Sequence, residues 1–166
     1  ITRNMVEDDL YDVIGPKKSA KLARSMRQTK ETIGGNVYNR AFNASYTGSD
    51  GLELCSLLHV NVAGGTWANE LSTAADISEA SLEQACIDIG KWTDDRGLKI
   101  AVRPKMLIVP TDLDFETNKI MKTEYEVGTA NNTVNLVRAR FPMGVMVAHW
   151  VDADTDAWFI KTDADD

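Results

Sequence analysis

Among the residues able to do chemistry, the run Asp152-Ala153-Asp154-Thr155-Asp156 has the spacing closest to a metal loop. Its carboxylates fall at positions one, three and five of a calcium-binding loop, and Asp163 falls at position twelve. Position six, however, is Ala157 where the sharp turn demands glycine, the last ligand is Asp rather than Glu, and the second half reads as a strand. These residues therefore read as an acidic hairpin turn between two strands, and no metal is assigned. The two histidines fare no better as bases. His59 follows two leucines, with no Ser or Cys elbow and no carboxylate at a recognisable offset. His149 sits in the apolar run VMVAHW, where a hydrogen-bonded core or strand-edge imidazole is expected. Cys55 lies four residues before His59, a pair too common to indicate a thiol enzyme. With Cys86 far away and no CxxC, both thiols are expected to be free and buried, as in a reducing cytoplasm. Glycine-rich phosphate loops are absent, so no cofactor is assigned. Trp67, Trp92, Trp150 and Trp158 are dispersed and read as core or interface anchors rather than a base-stacking platform.

The elements that must position these residues are dominated by one stretch. Pro16 to Ala44 is compatible with a single helix, and Pro16 suits its first turn. Leu22, Met26, Thr29, Ile33, Val37 and Ala41 recur at steps of three or four, giving one narrow apolar stripe. Gly34-Gly35 marks a weak point where a bend or a break is expected, because each glycine costs about 1 kcal/mol in a helix interior. Run through, such a helix spans roughly 43 Å, a rod along one side of the molecule rather than a member of a bundle. Lys17, Lys18, Lys21, Arg24, Arg27 and Lys30 crowd its first half with no acid among them. Cations there oppose the helix dipole, so local stability does not explain them. They are either a solvated basic face or, the reading favoured here, a contact surface for an acidic partner, protein or nucleic acid, and Glu7, Asp8, Asp9 and Asp12 of another copy are one source of it.

Beyond the rod, NASYTGSD (43–50) ends the helix, and Ala63-Gly64-Gly65 opens a surface loop running to about Ala75. Asp76 or Ser78 caps a second helix whose inward face is Leu82, Ala85, Cys86, Ile89 and Trp92, with Gly97 as its C-terminal glycine. KMLIVP (105–110) reads as a buried strand, followed by a third helix capped by Thr111 with Leu113, Thr117, Ile120 and Met121 inward. Val127 to Val134 is a polar loop, and Gly144 to Val151 and Ala157 to Lys161 are two more strands. Helix, strand and helix in succession imply a mixed α/β (α+β) layer, with Leu82, Ile89, Leu107, Ile108 and Ile120 as its core. Residues 76–166 are expected to hold together largely by internal burial, whereas the rod offers only its stripe.

The chain has 166 residues, 43% of them hydrophobic and 26% charged, which places it with ordinary globular proteins rather than disordered ones. Its net charge of −7 argues against nucleic-acid affinity over the whole surface, while leaving the basic patch open. No signal peptide and no apolar run approaching a membrane span is expected. The start at Ile1 and the TDADD ending fit a processed product or part of a longer chain.

Several stretches together resemble the major capsid proteins of tailed bacteriophages with the Hong Kong 97-type fold, especially the group of Mu-like head subunits. They are AKLARSMRQTKETIGGNVYNRAFN (20–43), SDGLELCSLLH (49–59), the run from Leu82 to Met121, GTANNTVN (128–135) and TDAWFIKTDA (155–164). The resemblance implies that residues 16–44 are the spine helix of a peripheral-domain portion, 1–75, and that 76–166 form most of an axial domain. The loop Thr129 to Asn135 would then approach the symmetry axes. It implies a structural, non-enzymatic subunit that assembles with copies of itself into hexamers and pentamers of an icosahedral shell. Scaffolding, portal and decoration proteins, and double-stranded DNA held non-specifically inside, are its implied partners. Its implied location is the virion capsid, after assembly in the host cytoplasm. Lys17, Lys21, Arg24, Arg27, Lys30, Asn131 and Asn132 are the interface candidates. Two other readings stand beside it: a nucleic-acid-binding module using residues 17–30, and a small cytoplasmic α/β enzyme using His59, Cys55 or the aspartate turn.

Overall fold

The computed structural model describes residues 3–7, 11–126 and 133–164. A short helix α1 (Arg3–Glu7) precedes the long helix α2 (Tyr11–Asn39). Helix α2 has 29 residues, so it spans roughly 43 Å. It begins five residues earlier than expected, with Asp12 in its first turn where a negative charge meets the positive helix end. Pro16 therefore lies inside the helix rather than at its start, and removes the one backbone bond its missing N–H would have made to Asp12. The helix also ends earlier, at Asn39 rather than Ala44. There the chain tightens into turns in which the Ala41 N–H donates to the Tyr38 carbonyl and the Asn43 N–H to Arg40.

The glycine pair does not break α2. Gly35 is buried, and a Cβ placed on it would lie 2.5 Å from the Trp150 carbonyl oxygen and 2.7 Å from the Trp150 Cβ. A Cβ on Gly34 would meet nothing within 4 Å. Gly35 is thus a point of close backbone approach, and the helix bears the conformational cost because the contact needs it.

A small antiparallel hairpin of β1 (His59–Val60) and β2 (Thr66–Trp67) follows. The stretch expected to be a long loop is here closed locally: Gly64 and Gly65 adopt positive φ, and the Asn61 N–H donates to the Gly65 carbonyl. Helix α3 (Glu79–Ile89) is capped by Ser78, whose hydroxyl accepts from the Ser81 N–H while the Ser81 side chain returns to Ser78. Ser81 closes this capping box, so the cap is Ser78 and not Asp76. The helix stops at Gly90. Gly97, expected to end it, instead sits at φ +82° in a turn organised by the Asp94 carboxylate, which accepts from the N–H groups of Arg96 and Leu98.

The central sheet has the order β4-β3-β5, with β3 (Pro104–Val109) between a parallel β4 (Val145–Val147) and an antiparallel β5 (Phe159–Thr162). Strands β4 and β5 flank β3 and do not pair with each other, so the aspartate run between them is a crossing loop rather than a hairpin turn. A single helical turn at Thr111–Leu113 leads into α4 (Asp114–Lys122), with no side-chain cap from Thr111. Leu113, Thr117, Ile120 and Met121 are buried, as their spacing predicts. The mixture of helices and small sheets is α+β.

Alternation along β3 divides the interior in two. Leu107 and Val109 face a core with Ile77, Leu82, Leu113, Ile120, Met121, Val137 and Phe141, joined by Val145, Val147 and Ile160 from the neighbouring strands. Ile108 is equally buried but registers with Phe159 on the other face. That face is covered by the end of α2, where the Tyr38 and Phe42 rings lie 4.9 and 5.7 Å from the Phe159 ring. The expected single core is corrected accordingly. Leu82, Leu107 and Ile120 share one cluster, while Ile108 belongs to the opposite side, because successive strand residues cannot point the same way.

Candidate assembly surface

Among the described residues, the side-chain hydrogen bonds and ring contacts that α2 makes with the rest of the chain lie near its C-terminal end. Besides the Gly35 contact, Asn39 makes a four-point junction: its amide nitrogen donates to the Trp150 carbonyl (3.0 Å) and the Asp152 carboxylate (3.1 Å). Its side-chain oxygen accepts from the N–H groups of Asp152 (3.0 Å) and Ala153 (3.2 Å). One side chain thereby satisfies backbone groups that the crossing loop could not pair internally. Ala41, fully buried, takes the Cys55 N–H on its carbonyl at 2.8 Å, and this docks the following segment to the same end.

From Lys17 to Lys30 the helix is exposed throughout. Leu22, Met26, Ile33 and Val37 are 63, 60, 62 and 54% exposed, so most of the predicted stripe faces outward. Only its last member, Ala41, is buried. Lys17, Lys18, Lys21, Arg24, Arg27 and Lys30 are all exposed, and among the described residues none has an ion-pair partner. An apolar row bordered by unpaired cations is chemically suited to burying itself against an acidic, partly apolar partner. Of the acids expected upstream, Glu7 is paired with Arg3 at 2.7 Å, and Asp8 and Asp9 lie outside the described residues, as do Asn131 and Asn132.

The residues considered for chemistry are scattered. In the crossing loop, Asp152 serves the Asn39 junction and Asp154 accepts the Asp156 N–H. Among the described residues, no group of three or more His, Cys, Asp or Glu side chains could hold a metal ion. His149 is not a core or strand-edge residue, because β4 stops at Val147; it is exposed in the turn beyond, edge-on to Trp150 at 6.3 Å. His59 is buried, and it does have a carboxylate: its Nδ1 lies 2.6 Å from Asp50, nine residues upstream. The ring stacks on Trp67 at 4.9 Å, and its Nε2 is buried with no partner among the described residues. No nucleophile meets that nitrogen. The hydrogen bond from His59, helped by the Leu52 N–H, holds the Asp50 carboxyl below its ordinary range. Cys55 and Cys86 are free but half-buried rather than fully buried. Burial, with the nearby Glu70 charge, pushes the Cys55 thiol up to about 11, so it stays protonated and unreactive near neutrality.

Two asparagines were invisible as structural keys in the sequence. Asn135 repeats the Asn39 device in the core, donating to the carbonyls of Ile120 and Thr123 and accepting from the N–H groups of Val137 and Arg138. It anchors the end of the polar loop to the C-terminal end of α4. No local pattern distinguishes such residues from ordinary turn asparagines; only the backbone groups brought to them do.

A family model described as phage capsid protein matches residues 1–166. The chain belongs to the phage capsid protein family. Its role is structural and its place is the capsid of the virion. No curated protein and no solved structure matches the chain. For a capsid protein, a long helix held at one end and bare along the rest is intelligible as contact surface. Among the described residues, no helix is long and apolar enough to cross a membrane.

Proposed function

We propose that this capsid protein is the shell-building head subunit of a tailed phage, with a Hong Kong 97-type arrangement in the Mu-like group. Copies assemble into hexamers and pentamers around double-stranded DNA. In this reading α2 is the spine helix, residues 1–75 and 76–166 are the peripheral and axial portions, and Asn131 and Asn132 approach the symmetry axes. Lys17, Lys21, Arg24, Arg27 and Lys30 contact neighbouring subunits. Scaffolding and portal proteins complete the set of partners, and assembly takes place in the host cytoplasm.

The observation that carries the reading is the exposed row Leu22, Met26, Ile33 and Val37 on a helix anchored near its C-terminal end. Helices owe most of their stability to tertiary packing of one face. A face left open in one copy is covered when many copies supply the contact, and repeated interfaces turn modest pairwise energies into a stable shell.

Expression of the full-length product followed by negative-stain microscopy tests it. Closed shells of uniform diameter are the expected result. A monodisperse monomer at every concentration, with the helix intact by circular dichroism, would count decisively against it. The nucleic-acid-module reading is tested in the same preparation: DNA affinity through six cations would fall steeply as salt rises, without any particle being formed.

A further inference from the structure

The cations of α2 have a counterpart elsewhere in the chain. From Ala41 to Gly90 the sequence holds seven Asp and Glu residues and not one Lys or Arg. Within this region, residues 50–70 combine Asp50, Glu53 and Glu70 with a set of exposed apolar side chains, Leu54, Leu58, Val60 and Val62. Helix residues 17–30 carry the inverse: six cations, no acid, and the apolar row starting at Leu22 and Met26. Lys17, Lys21, Arg24 and Arg27 share one face of the helix, opposite Leu22 and Met26, so the basic face and the acidic segment are complementary in charge.

The two halves do not meet within one copy. The Cys55 N–H bond to Ala41 holds the acidic segment at the C-terminal end of α2. Lys30 and Lys17 lie roughly 14 and 33 Å from Asn39 at about 1.5 Å per residue. Among the described residues, no ion pair or hydrogen bond joins the segments. Asp50 is paired with His59, but among the described residues Glu53 and Glu70 have no cation partner. Burial raises the Glu70 carboxyl above its usual range and the neighbouring Glu53 charge adds to this, against the opposing influence of His59. A guanidinium or ammonium arriving from outside would relieve that crowding.

We propose that the basic face of the first half of α2 in one copy seats on residues 50–70 of a second copy. There Lys21, Arg24 and Arg27 meet Glu53 and Glu70. Every copy carries both the basic face and the acidic segment, so each can give one such contact and receive another. This pairing rests on the shell-building reading and names the surface that receives the helix.

Two measurements on the full chain test it. In the first, K21E/R24E/R27E and E53K/E70K are made separately and then mixed in equal amounts, with circular dichroism confirming retained helix. Each variant alone should lose at least tenfold in assembled material by sedimentation, and the mixture should recover most of it, since each supplies the charge the other lacks. In the second, a benzophenone amino acid replaces Gln28, which is exposed on the basic face, and is activated by light. The expected product is a cross-linked dimer whose peptide partner falls within residues 50–70. Cross-links to another peptide or to nucleic acid overturn the proposal, and so does a mixture of folded variants no better than either alone. Normal shells from K21E/R24E/R27E defeat this pairing and leave the shell reading intact. Absence of shells from the unaltered chain defeats the shell reading, and the cross-link still decides the pairing.

Discussion

Residues 17–30 and 35–39 lie on one continuous helix, and the turn to residue 42 extends the second stretch, yet physical chemistry treats the two oppositely. In the second stretch Gly35 gives up its side chain to admit Trp150, Asn39 stitches the crossing loop, and Tyr38 and Phe42 cover Phe159. In the first, every residue is exposed. A helix with this profile is a bracket: one end is fixed to its own fold, and the other presents chemistry that its own fold does not use. The difference shows why regular apolar spacing identifies a helix face without saying which molecule will cover it.

The comparison is sharpened most strongly by cutting away buried and exposed apolar groups in turn. Leu107→Ala, in the core beneath α3 and α4, should cost about 2–5 kcal/mol, while Leu22→Ala should stay within about 0.5 kcal/mol of the parent in urea unfolding. A large loss at Leu22 in the monomer would mean that the bare end is covered after all. The glycine pair gives the next contrast. Gly35→Ala forces a methyl into the Trp150 backbone and should destabilise by about 1–3 kcal/mol. One residue earlier, Gly34→Ala has open space around it and should stabilise by about 0.5–1 kcal/mol through helix propensity alone. Equal effects at the two positions would dissolve the idea of a close-approach point.

Smaller again is the junction. Asn39→Ala removes four hydrogen bonds at a half-buried site that water can partly re-solvate, so about 1–2 kcal/mol is expected. Amide exchange should quicken at Asp152 and Ala153 before it does in β3; unchanged exchange there would show that the junction is incidental. The smallest effect concerns Asp50, whose carboxyl is held below its usual value of 3.8 first by the His59 bond. Because the folded value is the lower one, its stabilisation is present above the unfolded value and is lost as pH falls through the folded value. Asp50→Asn should therefore flatten the fall in stability below about pH 4. A slope identical to that of the parent would remove the linkage.

Much of the fold was legible. The stripe from Leu22 to Ala41 gave a 29-residue helix of the right kind with its bounds displaced by five residues, since Asp12 favours an earlier start and turn bonds beyond Asn39 an earlier end. The strand at 105–110 and the inward face of α4 were legible because burial leaves an unbroken apolar run or a clear period. The candidate surface was half legible: the unpaired cations stood out, but the acidic segment did not, because a deficit of Lys and Arg spread over fifty residues has no local signature. The His59–Asp50 pair was missed for a related reason. Nine residues of irregular chain set no distance, and only the turn at Gly48–Leu52 and the hairpin bring the two together.

The sequence alone determined the three longer helices and the strands of the central sheet, where charge lies unbalanced, and, through its match along the whole chain, membership of the phage capsid protein family. These are properties of composition and short-range period, which survive without knowledge of partners. Tertiary structure alone decided that Gly35 is a contact rather than a bend and that the aspartate run crosses the sheet instead of turning a hairpin. It also placed Leu107 and Ile108 in different layers and made Asn39 and Asn135 the hubs of their surroundings. Each of these depends on a backbone group delivered from a distant part of the chain, and a residue's type records what it can bond but not what will be brought to it.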